Sequence, residues 1–574
     1  MADRADIVIH GGTVIDGTGA EPFEADVAIA NGRIVAVGRD LGPASETIDA
    51  KGRIVTPGFV DIHTHYDGQV TWENRLMPSA AHGVTTAVIG NCGIGFAPCH
   101  PDDRERLIRL MEGVEDLPEI VLTTGLPWSW ETFPDYLDLI ASRSYDIDVA
   151  ALLPHAALRV YAMGQRAVDR EPANAADRAL MARIARGAIE AGAIGFATSR
   201  TINHRSSDGK QVPTLDATED ELTQIALALK DAGRGVLQLI TDFNDIEADC
   251  AMLRRIAAAS GRPLSLTLLQ LHDQPDKWRR ILAWIDACQA DHLPVRGQVS
   301  GRSIGIFLGF ELSFNPFMHG AAWQVLAALP VEERLARLRD PAMRARILAD
   351  TPGDTPFEAM LRSFSNIFPL GERPDYEPSS ETSIAALAAR RGVSPAALAY
   401  DLMLERDGRG ILMWPSTNYA DRHLGPQLEM LRNPHTLCGL GDAGAHLGFL
   451  CDASLPTFLL QHWVRDRAGE RLTLPEMVRK LTSANAEAMG FNDRGAIRPG
   501  LKADVNVIDF DRLNLKSPHV AYDLPAGGRR LVQDAEGYDA TIVSGAVTYR
   551  AGIATGTLPG RLVRGARRGP AEFG

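Results

Sequence analysis

The sequence has few cysteines, no long apolar run and no excess of basic charge. Only 6 of its 574 residues are cysteine, too few for a disulfide scaffold, which favours a reducing, cytoplasmic location. No run approaches the roughly 18 uncharged apolar residues that a membrane-spanning helix needs, and the N-terminus (MADRADIVIHGG) has acids where a signal peptide has basic residues. The formal net charge of −14 argues against general attraction to nucleic acid or anionic membranes.

What is present is an ordinary globular composition. Hydrophobic residues make up 45% and charged residues 23% of the chain, which excludes a disordered or low-complexity protein. We therefore expect a cytoplasmic protein with no nucleic-acid or membrane partner. The sequence leaves the oligomeric state open, with a homo-oligomer as one option.

Both ends of the chain have patterns typical of short strands. Near the N-terminus, ADVAIANGRIVAVG has two apolar runs around Asn-Gly, a strong signal for a two-residue hairpin. Near the C-terminus, ATIVSGAVTYRAG has apolar and polar residues around another glycine turn. Because the ends of a domain often lie close together, we predict one small β-domain built from residues 1–56 and 495–574.

The middle of the chain, residues 57–494, alternates strand-like with helix-like runs, which predicts a parallel sheet with crossover helices. Eight candidate strands fit a (β/α)8 barrel, an α/β fold whose chemistry lies at the carboxyl ends of the strands. Residues 301–435 separate the seventh candidate from the eighth, and we interpret them as an insertion, either a lid or a subdomain. The candidates are residues 58–63, 85–92, 148–154, 193–198, 235–240, 264–271, 294–300 and 436–442.

Two histidines at the end of the first candidate strand give the first chemical signal. Residues i and i+2 of a strand face the same side, so His63 and His65 direct two imidazoles at one point. Neutral imidazole is the commonest metal ligand, and the alternative is a pair of surface histidines in a loop. The position at a strand end, with Asp67 close by, favours a metal site.

Four motifs carry a resemblance to a known family: PGFVDIHTHYDGQ, HGVTTAVIGNCGIGFAP, LGDAGAH and NDRGAIRPGLKADVNVID. They resemble the amidohydrolase superfamily, and more closely its N-acyl-D-amino-acid deacylase (D-aminoacylase) branch. The resemblance covers nearly the whole chain. It implies a metal-dependent, TIM-like (β/α)8 barrel with a small β-sandwich domain. It also implies a small-molecule substrate and hydrolysis of the amide bond of N-acyl-D-amino acids.

The resemblance assigns roles to single residues. Cys92 lies in GNCGIG at the end of the second candidate strand, where the family has a metal ligand; the alternative is a small buried residue, the usual role of a free cysteine. Asp442 ends the last candidate strand, where the superfamily has its catalytic acid/base; the alternative is a helix N-cap. His446 either orients Asp442, contacts substrate or lies on the following helix.

The sequence departs from the family on the fifth and sixth strands, where deacylases normally have histidines. Gln238 and Gln270 stand at the corresponding positions, and glutamine is a poor zinc ligand. No lysine ends the fourth strand, so a carbamylated-lysine bridge of the hydantoinase type is not expected. The predicted ligands of one zinc ion, with a second site left open, are His63, His65, Cys92, Asp442 and, as a further candidate, His272.

The predicted substrate contacts are basic residues that follow the fourth strand. Arg200 and Arg205 in SRTINHRSSDGK would lie at the catalytic face, and Arg200 is the candidate to bind a substrate carboxylate; the alternative for each arginine is a salt bridge in a loop. Arg205 and His446 are the other predicted substrate contacts. The predicted reaction converts an N-acyl-D-amino acid to a D-amino acid and a carboxylate, with Asp442 carrying the proton. The alternatives are an amidase for another acylated amine, a cyclic amidase of the hydantoin or dihydropyrimidine type, and a non-catalytic scaffold that has lost metal ligands.

Overall fold

The computed structural model describes residues 4–350, 353 and 355–565. Short strands dominate both ends of the chain, and longer helices lie between the strands of its middle part. In chain order the strands are β1 (Ala5–Val14), β2 (Phe23–Ala30), β3 (Arg33–Gly38), β4 (Ala44–Asp49), β5 (Ile54–Pro57), β6 (Phe59–Asp61), β7 (Val84–Ile89), β8 (Asp148–Pro154), β9 (Gly195–Arg200), β10 (Val236–Thr241), β11 (Leu264–Thr267), β12 (Val295–Val299), β13 (Ile304–Leu308), β14 (Phe368–Pro369), β15 (Leu412–Thr417), β16 (Thr436–Cys438), β17 (Val505–Ile508), β18 (Asn514–Leu515), β19 (His519–Leu524), β20 (Gly528–Val532), β21 (Ala535–Glu536), β22 (Tyr538–Val543), β23 (Ala546–Arg550) and β24 (Ile553–Ala554).

Helices cover the outside of the central sheet and fill the insertion. Among the residues described, none of them combines the length and the apolar character that crossing a bilayer requires. In chain order the helices are α1 (Gln69–Trp72), α2 (Arg104–Glu115), α3 (Glu119–Gly125), α4 (Phe133–Ser142), α5 (His155–Met163), α6 (Gln165–Val168), α7 (Ala175–Ala191), α8 (Glu219–Asp231), α9 (Ile246–Ser260), α10 (Lys277–Ala290), α11 (Ala321–Ala327), α12 (Val331–Leu338), α13 (Pro341–Ala349), α14 (Pro356–Leu361), α15 (Ile384–Arg391), α16 (Pro395–Gly408), α17 (Gly425–Arg432), α18 (Leu455–Leu460), α19 (Leu474–Leu481) and α20 (Ser483–Ala488).

Eight parallel strands form the barrel, in the order β6, β7, β8, β9, β10, β11, β12 and β16. Extensions of the first and last strands close it, because Thr64 pairs in parallel with Ala443, whose carbonyl accepts the His65 N–H at 2.7 Å. Every residue of β8 is buried, as expected for a parallel strand that is covered on both faces. The prediction of an α/β (β/α)8 barrel is confirmed.

Capped helices return the chain from the end of one barrel strand to the start of the next. Asn174, Thr218 and Asp245 each accept a backbone N–H in the first turn of α7, α8 and α9, respectively, which satisfies donors that a helix start leaves free. Because all eight strands are parallel, their carboxyl ends lie at one end of the barrel. The loops that follow them meet there.

Strands from both chain ends share one nine-stranded sheet, which contains β1–β5, β17 and β22–β24. Within it β5 pairs with β1 on one side and with β17 on the other, and it leads directly into the first barrel strand. The sheet buries an apolar face that includes Ile9, Val27 and Ile542. The predicted domain limits remain a prediction, and residues 1–3 and 566–574 lie outside the described residues.

The insertion between the seventh and eighth barrel strands has its own hydrophobic core. Its antiparallel sheet of β13, β15 and β14 packs with α11–α16 around aromatic residues such as Phe310, Phe317 and Tyr400. The last helix of the predicted 301–435 region, α17, instead belongs to the barrel, because the Met430 carbonyl accepts the Thr436 hydroxyl of β16. The limits of the insertion remain a prediction, and residues 351, 352 and 354 are not described.

Candidate active site

Four of the predicted ligands converge at the carboxyl end of the barrel. His63 and His65 follow β6, Cys92 lies in the turn after β7, and Asp442 follows β16. The Cys92 Sγ lies 3.3 Å from the His63 Nε2. The Asp442 Oδ1 lies 3.3 Å from the His63 Nε2 and 3.5 Å from the His65 Nε2. Donor atoms of the two histidines and the cysteine all lie within 4.8 Å of one another, and these three residues are buried.

The turn that carries Cys92 contains glycine because its backbone passes close to neighbouring strands. Gly90 and Gly93 have positive φ angles, and a Cβ at Gly90 would lie 2.2 Å from the Leu152 carbonyl oxygen. Cys92 and Asp442 also have positive φ, 53° and 43°. Such conformations cost a non-glycine residue about 1–3 kcal/mol and persist only where the surrounding structure imposes them. The fold therefore imposes the backbone of two of the four converging residues.

Each imidazole has a polar side chain beside its Nδ1, by a hydrogen bond at His63 and by an ion-pair contact at His65, and its Nε2 faces the cluster. The Gln298 Oε1 lies 2.7 Å from the His63 Nδ1, while the Gln298 Nε2 donates to the Ser265 hydroxyl at 2.9 Å. An amide that donates through its nitrogen offers its oxygen to His63, so the proton sits on Nδ1 and the Nε2 lone pair is free. On His65 the Glu115 Oε1 lies 3.3 Å from Nδ1. Partners of this kind fix the orientation of metal-binding imidazoles.

The charges around the cluster favour a cation. Burial lowers the pKa of His63 to about 4, so this imidazole is neutral at pH 7. Burial opposes a charge on His65, but the Glu115 carboxylate, the Asp442 carboxylate and Cys92 together outweigh it and raise the pKa of His65. Burial also opposes a charged Asp442, yet the two neighbouring imidazoles lower its pKa. Burial raises the pKa of Cys92 to about 11, and a bound metal ion would instead deprotonate this thiol.

The donor set and its spacing fit a zinc ion. Bond lengths of about 2.0–2.1 Å to nitrogen and about 2.3 Å to sulfur place neighbouring ligands of a tetrahedral zinc about 3.3–3.6 Å apart. The observed separations of 3.3 Å and 3.5 Å agree with that spacing. In addition, the Nδ1 of His446 beside the cluster is buried without a hydrogen-bond partner, which leaves polar capacity for a ligand.

The structure does not bring the further ligand candidate to the cluster. His272 is exposed, and its Nε2 lies 2.8 Å from a backbone carbonyl of β15. Gln238 does approach the cluster from β10, but its Oε1 accepts the Cys92 N–H at 2.9 Å. The Gln270 Oε1 accepts a backbone N–H of the insertion at 3.2 Å. Both glutamine oxygens are thus engaged in hydrogen bonds within the protein.

The two predicted arginines also lie away from the cluster. Arg200 is on the same face of β9 as Thr198, whose hydroxyl contacts a histidine on α5. The Arg200 Nη1 lies 3.2 Å from the Asp249 carboxylate on α9. Arg205 is exposed and donates to the Gly209 carbonyl at 3.2 Å. The third predicted substrate residue, His446, does lie beside the cluster. Its Nε2 is 3.6 Å from the Glu115 carboxylate, which also contacts His65.

Three polar residues at the site were not found from the sequence. Gln298 contacts the Nδ1 of His63, and Glu115 contacts the Nδ1 of His65. His204 follows β9, with its Nδ1 2.8 Å from the Ser199 Oγ; burial and the charges of nearby histidines of the cluster lower its pKa to about 3. Two of these residues could have been found from the sequence: Gln298 is a polar residue in the seventh barrel strand, and His204 is a histidine just after the fourth. Glu115 lies at the end of a helix, and no sequence pattern indicates its role.

Comparisons with known proteins find a matching family model and similar proteins. The model of the amidohydrolase family matches residues 46–549. An uncharacterized protein of Mycobacterium tuberculosis (strain ATCC 25618 / H37Rv) is 29% identical over 595 residues, which cover 95% of this chain and 92% of the relative. The N-acyl-D-glutamate deacylase of Alcaligenes xylosoxydans xylosoxydans is 28% identical over 526 residues, 89% of this chain and 88% of the relative.

A solved structure has the same fold. The N-acyl-D-glutamate deacylase from Bordetella bronchiseptica, complexed with zinc and a phosphonate inhibitor, matches with a TM-score of 0.63 and 24% identity. The match covers 98% of this chain and 100% of the other. At this identity the similarity establishes the architecture.

Proposed function

Because the chain belongs to the amidohydrolase family, we propose that it uses one zinc ion to hydrolyse a linear amide bond, with N-acyl-D-amino acids as its substrate class. The products would be a D-amino acid and a carboxylate. The observation that carries the proposal is the convergence of two imidazoles, one thiol and one carboxylate at the catalytic end of the barrel. The deacylase relative supports the substrate class.

His63, His65 and Cys92 would hold the ion, with Asp442 beside them. Zinc, when bound, supplies a Lewis acid that lowers the pKa of water and polarises an amide carbonyl. The chain supplies the rest: Gln298 keeps the His63 lone pair directed at the cluster, and burial excludes bulk water from the three ligands.

Asp442 would move the proton of the reaction. Its lowered pKa keeps it ionised at neutral pH, so it can accept a proton from the attacking water. Its partial exposure, in contrast to the buried ligands, leaves it accessible to substrate. It would then deliver the proton to the nitrogen that leaves, so that acid and base catalysis use one carboxylate.

One observation favours an amidase for a different acylated amine as the second candidate. Of the two arginines predicted to contact the substrate, Arg200, the candidate for its carboxylate, pairs with Asp249, and Arg205 is exposed. A substrate without a carboxylate would need neither of them. Initial rates with N-acetyl-D-amino acids, their L-enantiomers, N-acetylated amines and hydantoin distinguish these classes.

The experiment that tests the proposal combines metal analysis with one substitution. The purified protein should contain about one equivalent of zinc, whereas less than about a tenth of an equivalent would favour a scaffold. Asp442→Asn should lower kcat by about 10²–10⁴-fold, the usual contribution of general acid–base catalysis. Asp276→Asn, at a carboxylate that is 83% exposed, is the matched control. Near-normal turnover of the Asp442 variant would refute the mechanism.

A further inference from the structure

Glu115 is a buried carboxylate whose ion-pair partners are two histidines. Its side chain is 2% exposed. Within residues 4–350, 353 and 355–565 it has no arginine or lysine ion-pair partner. A carboxylate withdrawn from water costs free energy unless charged or hydrogen-bonding groups surround it. The two histidines that contact the Glu115 carboxylate belong to the candidate active site. We therefore look for the role of this buried carboxylate in the site.

The two carboxylate oxygens of Glu115 face different histidines. Its Oε1 lies 3.3 Å from the His65 Nδ1, and its Oε2 lies 3.6 Å from the His446 Nε2. The backbone makes a second connection, because the His446 N–H donates to the Glu115 carbonyl. His446 has a φ of 53°, a conformation that such a contact helps to impose. One residue of α2 thus contacts a candidate zinc ligand and a histidine beside it.

The two imidazoles of the ligand set differ in what holds them. His63 has the neutral amide oxygen of Gln298 at its Nδ1, whereas His65 has a carboxylate. A carboxylate at the far nitrogen makes an imidazole a stronger metal ligand, and loss of such a partner typically weakens metal binding by about 10–100-fold. The Nδ1 of His446 has no hydrogen-bond partner, so Glu115 contacts this ring at Nε2 alone and leaves Nδ1 available.

We propose that Glu115 is a positioning residue that sets zinc affinity through His65 and holds His446 in place to contact the substrate. The inference rests on the proposed function, since it requires zinc at His65. Glu115 acts through the two histidines and does not itself touch the reacting atoms. It therefore couples the loading of the metal to the orientation of a substrate contact.

Zinc affinity of the apo-protein tests the first half of this inference. Titration against a chromogenic zinc chelator should give a dissociation constant about 10–100-fold higher for Glu115→Gln than for the parent. Glu105→Gln changes an exposed carboxylate on the same helix and should leave the constant within about threefold of the parent. Far-UV circular dichroism checks that each variant is folded. A folded Glu115→Gln protein with the zinc affinity of the parent overturns the inference.

A second variant and a second signal cover the case in which Glu115→Gln does not fold. Glu115→Asp keeps the charge but withdraws it by one methylene, so it should also weaken zinc binding. It should shift the visible absorption of the cobalt-substituted protein, which reports the ligand geometry directly. An unchanged cobalt spectrum together with unchanged zinc affinity overturns the inference.

Kinetics of a double-mutant cycle test the second half. His446→Asn should raise KM while zinc affinity stays within about threefold of the parent. If Glu115 holds His446, the two substitutions are not additive, and the effect of His446→Asn on KM is smaller in the Glu115→Gln background. Full additivity overturns this half. A parent that binds no zinc would instead refute the proposed function, so the two failures are distinct.

Discussion

Replacement of Gln298 by leucine should weaken zinc binding while the barrel stays folded. Gln298 is completely buried in β12, and its amide joins the His63 Nδ1 at 2.7 Å to the Ser265 hydroxyl at 2.9 Å. Leucine has a similar volume but no acceptor. The change therefore removes both hydrogen bonds and little of the packing.

The expected loss of zinc affinity follows from the His63 Nδ1–H, which loses its acceptor. The His63 ring is 1% exposed, so water does not replace the lost acceptor, and an unsatisfied buried donor costs about 1–3 kcal/mol. The ring can avoid this cost by moving its proton to Nε2, so that an N–H and not a lone pair points towards the metal site beside Cys92 and Asp442. Zinc binding must then move the proton back to Nδ1, where it has no acceptor. We expect a 10–100-fold weaker affinity, about 1.4–2.7 kcal/mol.

Chelator competition on the apo-protein measures this affinity, and urea unfolding of the zinc-loaded and apo forms measures the accompanying stability. Gln274→Leu, at an exposed glutamine, controls for the loss of an amide as such. If Gln298→Leu folds and binds zinc within about threefold of the parent, the tautomer of His63 is not set by Gln298 and the reasoning is refuted.

Two further predictions concern residues outside the ligand set. Burial opposes a charge on Asp148, but Lys502 and Arg494 outweigh this effect and lower the pKa of Asp148 to about 2. The ionised carboxylate therefore stabilises the fold above its unfolded pKa near 4, and this stabilisation is lost as pH falls towards 2. Asp148→Asn should lower the free energy of unfolding by about 2 kcal/mol at pH 7, and by less at pH 3; urea unfolding with an equal deficit at both pH values would contradict this. His204→Asn should lower kcat/KM about tenfold, equivalent to one hydrogen bond. Arg200→Gln should leave kcat/KM within about twofold, because Arg200 pairs with Asp249 on a helix. Equal effects of the two substitutions in initial-rate assays would contradict the placement of both residues.

The barrel could be predicted because its pattern is local. Strands that are buried on both faces are continuous apolar runs, and DVAALLP of β8 is an example. The period of two along a strand also predicted that His63 and His65 share a face, and their Nε2 atoms do meet at one carboxylate oxygen.

The polar partners of the site depend on packing between distant segments, which the sequence does not display. Glu115 reaches His65 from the end of a helix, 50 residues further along the chain. Arg200 was predicted at the site but lies outside it. It is the last residue of β9, where a side chain on one face of the strand points to the cluster and a side chain on the other face points to the helices. The sequence predicted that the residue lies at the catalytic end but not which face it occupies.

The two glutamines on the fifth and sixth strands bear on the number of metal ions. The Oε1 of Gln238 is occupied by the Cys92 N–H, and its Nε2 is a buried donor without a partner. An amide nitrogen is a hydrogen-bond donor and offers no lone pair to a second cation. The Gln270 amide joins the insertion instead, with its Nε2 3.1 Å from the Asp421 carboxylate. A second ion would have to break these contacts and gain only weak amide ligands. These contacts support the single zinc ion that we propose, for which Cys92 would be a terminal ligand and not a bridge between two metals.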